Sequence, residues 1–169
     1  VFADTFVVRN TDDGLVGGQP VDGSLRWAID QANASGGPHT IEFNIPGDGP
    51  HFIHLDKSMP PLTITQSQVT IDGTSQSGYD PANGHPVVGI NGSYDGGIPR
   101  EDASIGIVVA PDGFGGGVAI KGLQIADFTF GVELKSGQSH VVEDCCIGTN
   151  FSGTAIFGWM HTGIRITAN

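Results

Sequence analysis

The stretch Val118-Ala119-Ile120-Lys121-Gly122-Leu123-Gln124-Ile125 decides the fold, because its pattern returns 22 positions later. Ile120 then falls on Val142, Lys121 on Glu143, Leu123 on Cys145 and Ile125 on Ile147. Looking backward, Val69-Thr70-Ile71-Asp72-Gly73 has the form of Val118-Ala119-Ile120-Lys121-Gly122. A second ladder runs beside the first: Gly106-Ile107-Val108-Val109, Gly131-Val132-Glu133-Leu134 and Gly163-Ile164-Arg165-Ile166, at offsets of 25 and 32 residues. Two ladders built on one base offset read as stacked units. Each unit gives one strand to each of several parallel sheets, alternate apolar residues stack inside, and loops absorb insertions. A β-sandwich would instead need hairpins and no fixed offset. The reading is an all-β solenoid. In this register Leu123, Ile125, Cys145 and Ile147 face inward, and Gln124 and Cys146 face outward.

Outward from that stretch, residues 1–44 hold a strand, a helix and a strand. Phe6-Val7-Val8 is a β run. Ser24 offers an N-cap, and Leu25, Ala28, Ile29 and Ala32 follow at helical spacing, with Arg26 and Trp27 off that stripe. Gly36-Gly37-Pro38 ends the helix. From Thr40 on, the text is strand and turn, with no second helix. The chain reads as one domain, 1–169, with a cap at 1–44 and solenoid turns carrying loop insertions at 45–169. Gly at 27 and Pro at 10 of 169 residues exclude a helical bundle. A net charge of −11, with only 7 Lys plus Arg, leaves no basic footprint for nucleic acid and repels an anionic membrane. No apolar run approaches the about 20 residues that span a bilayer. The first residue is Val1 and not Met, which reads as a processed mature chain or an excised piece. Cys145 and Cys146 are neighbours on opposite faces of a strand, so an ordinary disulfide between them is not expected.

The motifs Phe6-Val7-Val8-Arg9-Asn10-Thr11 and Ser24-Leu25-Arg26-Trp27-Ala28-Ile29, followed by Asp30-Gln31-Ala32-Asn33 and Thr40-Ile41-Glu42-Phe43-Asn44-Ile45, resemble a CSLREA-type amino-terminal capping segment. With Thr70 to Tyr79 and Cys146 to Ala155, the chain is similar to right-handed parallel β-helix repeat proteins of microbial surfaces. The resemblance implies a right-handed parallel β-helix with a single amino-terminal capping α-helix. Leu25, Ala28, Ile29 and Ala32 would then close the open end of the core, where unpaired strand edges are a liability. Phe157-Gly158-Trp159-Met160-His161 departs from the family's small polar stretch and puts apolar bulk near the carboxyl end.

The residues that carry chemistry are sparse. A lyase on this fold needs clustered carboxylates and a nearby base. Asp72, Lys121, Glu143 and Asp144 come nearest, and they read as a charge ladder between strands. Glu133 and Arg165 read the same way. The six His are scattered, and His51 and His54 lie three apart in a strand, a poor metal pair. Asp12, Asp13, Asp95 and Asp112, beside turn glycines, read first as plain turns, with weak Ca²⁺ binding as the competing reading. Three Asn-x-Ser sequons stand at Asn33, Asn91 and Asn150. No catalytic residue and no cofactor are expected.

The functional expectation is a non-catalytic structural module, extracellular or at the cell surface, that assembles head to tail with copies of itself. Phe2, Phe6, Val8, Phe157, Trp159, Met160, Ile164 and Ile166 are its assembly residues. An uncapped solenoid end presents core and free backbone, and a contact that does not close on itself makes a filament. The strand 1–8 is the expected donor. In a competing arrangement, residues 156–161 fold over the end as a plug. The competing functions are a polysaccharide lyase or hydrolase, and a carbohydrate-binding adhesive using Tyr79, Tyr94 and Trp159.

Overall fold

The computed structural model describes residues 3–56, 58–92, 104–113 and 115–167. The elements in chain order are β1 (Asp4–Val8), β2 (Leu15–Val16), β3 (Gln19–Pro20), α1 (Leu25–Ala34), β4 (His39–Phe43), β5 (His51–Leu55) and β6 (Leu62–Ile64). They continue with β7 (Val69–Asp72), β8 (Val88–Gly92), β9 (Ile105–Val109), β10 (Ala119–Lys121), β11 (Leu123–Ala126) and β12 (Phe128–Leu134). The last are β13 (Val141–Glu143), β14 (Cys146–Ile147) and β15 (Met160–Ile166).

Three parallel sheets form, in the orders β1-β4-β7-β10-β13, β14-β11-β8-β5 and β15-β12-β9-β6. Single-residue corners join β10 to β11 and β11 to β12. Gly122 at φ +61° turns β10 into β11, where a Cβ would stand 2.5 Å from the Thr74 methyl, so only glycine fits. The registers read from the sequence hold: Ile120 pairs with Val142, Lys121 with Glu143, and Ile125 with Ile147. Val132 pairs with Ile107 on one side and Ile164 on the other. Inward Ile41, Ile71 and Ile120 stack with Ile53, Ile90, Ile125, Leu62 and Ile107 in one core.

The expected class is corrected. The helix is a wall of the same core, with Leu25, Ala28, Ile29 and Ala32 all buried, so the parallel sheets stand in a mixed α/β arrangement and not an all-β one. A fourth sheet, β2-β3, is antiparallel. Among the described residues no closed solenoid forms. Neighbouring strands of the first sheet are displaced by 35, 30, 49 and 22 residues, so the base offset describes only its last step. The three sheets end on β13, β14 and β15, each paired on one side.

Two further expectations change. Arg26 was placed off the apolar stripe, yet it is 6% exposed. Gln124 was placed outward, and it is fully buried. Its sheet face is covered by residues 148–159, whose Phe151 and Phe157 ring centroids lie 5.0 and 5.9 Å from that of Phe52. The Gln124 amide donates to the Thr149 carbonyl at 2.9 Å. This segment is a strap along the outside of a sheet, not a plug over the core's end. Among the described residues no helix is long and apolar enough to cross a membrane.

Candidate functional site

The site is built on the face of α1 that carries Arg26, Asp30 and Asn33, one and two turns apart. Ser24 starts the helix by accepting the Trp27 amide at 3.1 Å, which aims this face at the β2-β3 hairpin and the segment 59–65. Arg26 forks onto Asp13, Nε to Oδ1 at 2.8 Å and NH2 to Oδ2 at 2.9 Å. Its remaining terminal nitrogen donates to the Pro60 carbonyl at 2.8 Å. Asp13 Oδ2 also accepts the Asp56 amide at 2.8 Å. One buried ion pair thus ties together the loop before β2, the helix and the loop before β6. Asn33 donates to the Thr63 carbonyl at 2.7 Å and accepts the Thr65 amide at 2.8 Å, pinning β6 and the residue after it to the helix.

Between these walls lies a cleft of about 450 Å³. Its apolar lining includes Leu15, Ile29, Met59 and Leu62, and its polar lining includes Gln19, Asp30, Asn33 and Thr65. Partial burial pushes the Asp30 carboxyl above its ordinary value, and the Arg26 charge pulls the other way. Asp30 is exposed at the cleft mouth and is the one carboxylate among the described residues of its lining, a group that can exchange a proton with a bound molecule.

The residues singled out from sequence fall elsewhere. Asp13, a Ca²⁺ candidate, is the buried partner of Arg26, with both carboxylate oxygens engaged by Arg26 and the Asp56 amide. Asp12 and Asp112 are exposed on separate loops, and among the described residues no three metal-binding side chains gather. Asp95 and Phe2 lie outside the described residues, as does Tyr94.

The charge ladder is real: Lys121 Nζ meets Glu143 Oε1 at 2.6 Å, and that hydrogen bond holds the ammonium above its usual value. Asp72 caps a 3-10 turn, accepting the Thr74 amide at 3.0 Å, and with Asp144 it acts on Lys121 at longer range. Glu133, 2% exposed, takes Arg165 at 2.6 Å and Lys135 at 3.4 Å. Arg165 in turn lies over the Phe130 ring at 3.5 Å.

The expected assembly residues scatter. Val8 is core, and Phe6 packs edge-on to Trp27. Phe157 is in the strap. The Trp159 amide is held by Asp127, and Met160 leans on the core. Ile164 and Ile166 are exposed.

Asp30 and Asn33 were missed because the helix was read for its apolar stripe alone. The signal was present: Arg26, Asp30 and Asn33 recur at i, i+4 and i+7, a polar stripe beside the apolar one.

No protein-family model matches the chain, and no solved structure matches it. The chain is similar to the 3-dehydroshikimate dehydratase of Acinetobacter baylyi, with 30% identity over 147 residues. That match covers 79% of this chain and 29% of the relative, so the chain spans less than a third of the protein it resembles. The relative is an enzyme. This overturns the expected non-catalytic structural module and the extracellular filament built from it, and the polysaccharide-directed readings gain nothing from the match.

Proposed function

We propose that this chain is part of an enzyme that eliminates water from a small hydroxylated ring, and that the cleft beside α1 holds the ring. The similarity to a dehydratase over 79% of the chain supports the reaction class. Asp30, the one carboxylate among the described residues of the cleft lining, beside the apolar Leu15, Met59 and Leu62, is the observation that carries the reading. Losing water from adjacent carbons requires a group that takes a proton from one carbon and a donor that protonates the departing hydroxyl. Asp30 as carboxylate takes the carbon-bound proton. The same proton then passes to the neighbouring hydroxyl, which leaves as water while the C–H electron pair becomes the double bond. Asp30 ends as it began, and no electrons are gained or lost. Leu15, Met59 and Leu62 offer the ring an apolar wall, and Gln19 offers its amide to the ring's hydroxyls.

The test is turnover of 3-dehydroshikimate and, separately, of its methyl ester by the chain, followed by chromatography of the dehydrated product. Asp30→Asn is expected to lower the rate by about 100-fold or more, the usual loss of a general acid–base. A wild-type chain that yields no product from either compound, or an Asp30→Asn variant as fast as wild type, overturns the reading.

A further inference from the structure

We infer that this cleft selects an uncharged, hydroxyl-bearing ring and rejects the same ring carrying a carboxylate. The inference rests on the cleft being the site proposed above, and it concerns which substrate class that site takes. It follows from the cleft's charges. Among the described residues, Arg26 is the sole cation in the lining. Its guanidinium is held in place: three of its five N–H donors are engaged, two nitrogens on Asp13 at 2.8 and 2.9 Å and the third on the Pro60 carbonyl at 2.8 Å. The Arg26 and Asp13 side chains are 7% and 2% exposed. Drawing Arg26 toward a substrate carboxylate would strand Asp13 as a buried, unpaired charge, a heavily penalised state.

The charge left facing the cleft is therefore Asp30, which repels an anion. The remaining polar groups, Gln19 and Thr65 among them, are neutral donors and acceptors suited to hydroxyls. Leu15, Met59 and Leu62 suit the apolar face of a ring. The chain's net charge of −11 adds repulsion at longer range. The relative is named for an acid, 3-dehydroshikimate. The geometry here favours a neutral counterpart of such a ring.

The test is an NMR titration of isotope-labelled chain at pH 7 with 3-dehydroshikimate and, separately, with its methyl ester. The ester is expected to shift the Gln19 and Asn33 side-chain amide signals and to saturate, with the acid binding at least about tenfold more weakly. Asp30→Asn should narrow that ratio, because it removes the repelling charge and keeps the shape. The inference is overturned if the acid binds as tightly as the ester, if neither moves those signals, or if Asp30→Asn leaves the ratio unchanged. Turnover separates the two readings. An acid that is dehydrated in an Asp30-dependent way, beside an ester that does not bind, sinks the selectivity and keeps the reaction. An ester that binds selectively, with neither compound dehydrated, keeps the selectivity and sinks the reaction.

Discussion

Asp13 and Arg26 set the cost of error at single positions. Each is buried, and each is the other's main partner. Replacing one leaves the other as an uncompensated charge, whereas replacing both with apolar residues of similar size removes the problem. Asp13→Ala is therefore expected to cost about 3–5 kcal/mol, read from urea unfolding midpoints, and Asp13→Leu with Arg26→Met to cost much less. A single variant as stable as the parent would show that the pair does not anchor the cleft. Cys145 gives a pH-dependent case. Burial pushes its thiol up to about 11, so the folded chain keeps a proton that the unfolded chain releases near its ordinary value. Stability should then fall as pH rises from about 9 toward 11, and Cys145→Ala should flatten that part of the profile. Maleimide labelling of Cys145 should climb about tenfold per pH unit over the same window. A rate already at its plateau at pH 8 contradicts the burial. His39 and His140 share another residue-scale device. His39 opens β4 and His140 stands just before β13, and each Nδ1 accepts a backbone amide, that of Asp4 in β1 at 3.3 Å and that of Val118, just before β10, at 3.0 Å. Each sets Nε2 against a carbonyl four residues back, Ser35 at 3.2 Å and Ser136 at 2.8 Å.

At the scale of elements, the strap 148–159 was the least legible part and is the most exposed to a single change. Asp127 accepts the Trp159 amide at 2.8 Å. Gly158 sits at φ +67°, where an added Cβ would lie 1.9 Å from the same carboxylate oxygen. Gly158→Val therefore meets both a strained backbone and a blocked hydrogen bond, together about 3 kcal/mol. The expected result is a strap that opens while the sheets persist. Protease cleavage within 148–159 should rise at least about tenfold with the far-ultraviolet spectrum unchanged. A variant as resistant as wild type would mean that Asp127 does not hold the strap. The strands and α1 were legible because periods of 2 and 3.6 are local. The strap was not, since Phe151 and Phe157 find Phe52 on a strand far earlier in the chain, and nothing local encodes that pairing. Arg26 was misread for the same reason. Its burial depends on Asp13, a loop residue whose carboxylate reads locally as a turn.

Across the whole molecule, burial is graded and not uniform. The strands β4 to β9 carry residues with almost no exposure, including Ile41, Ile53, Ile64, Ile71, Ile90 and Ile107. Along β13 and β15 the same inward positions open up, with Val142 only partly buried and Ile164 and Ile166 at 41% and 72% exposed. The sequence showed these positions as equivalent, because alternation marks which way a side chain faces and not what lies beyond it. Burial contributes about 25 cal/mol per Å² of apolar surface, so equivalent isoleucines do not contribute equally. Each parallel strand also depends on its sheet neighbours for backbone partners, and β13, β14 and β15 have a neighbour on one side only. Both effects weaken the same edge. Amides of β13 and β15 are therefore expected to exchange with solvent deuterium at least about tenfold faster than those of β8 and β9, through local openings that leave the rest folded. Helix α1 packs against β1 and β4 and should protect them, and Leu25→Ala should erase that protection at a cost of about 2–5 kcal/mol. Uniform protection across all three sheets would show instead that the molecule opens as one unit.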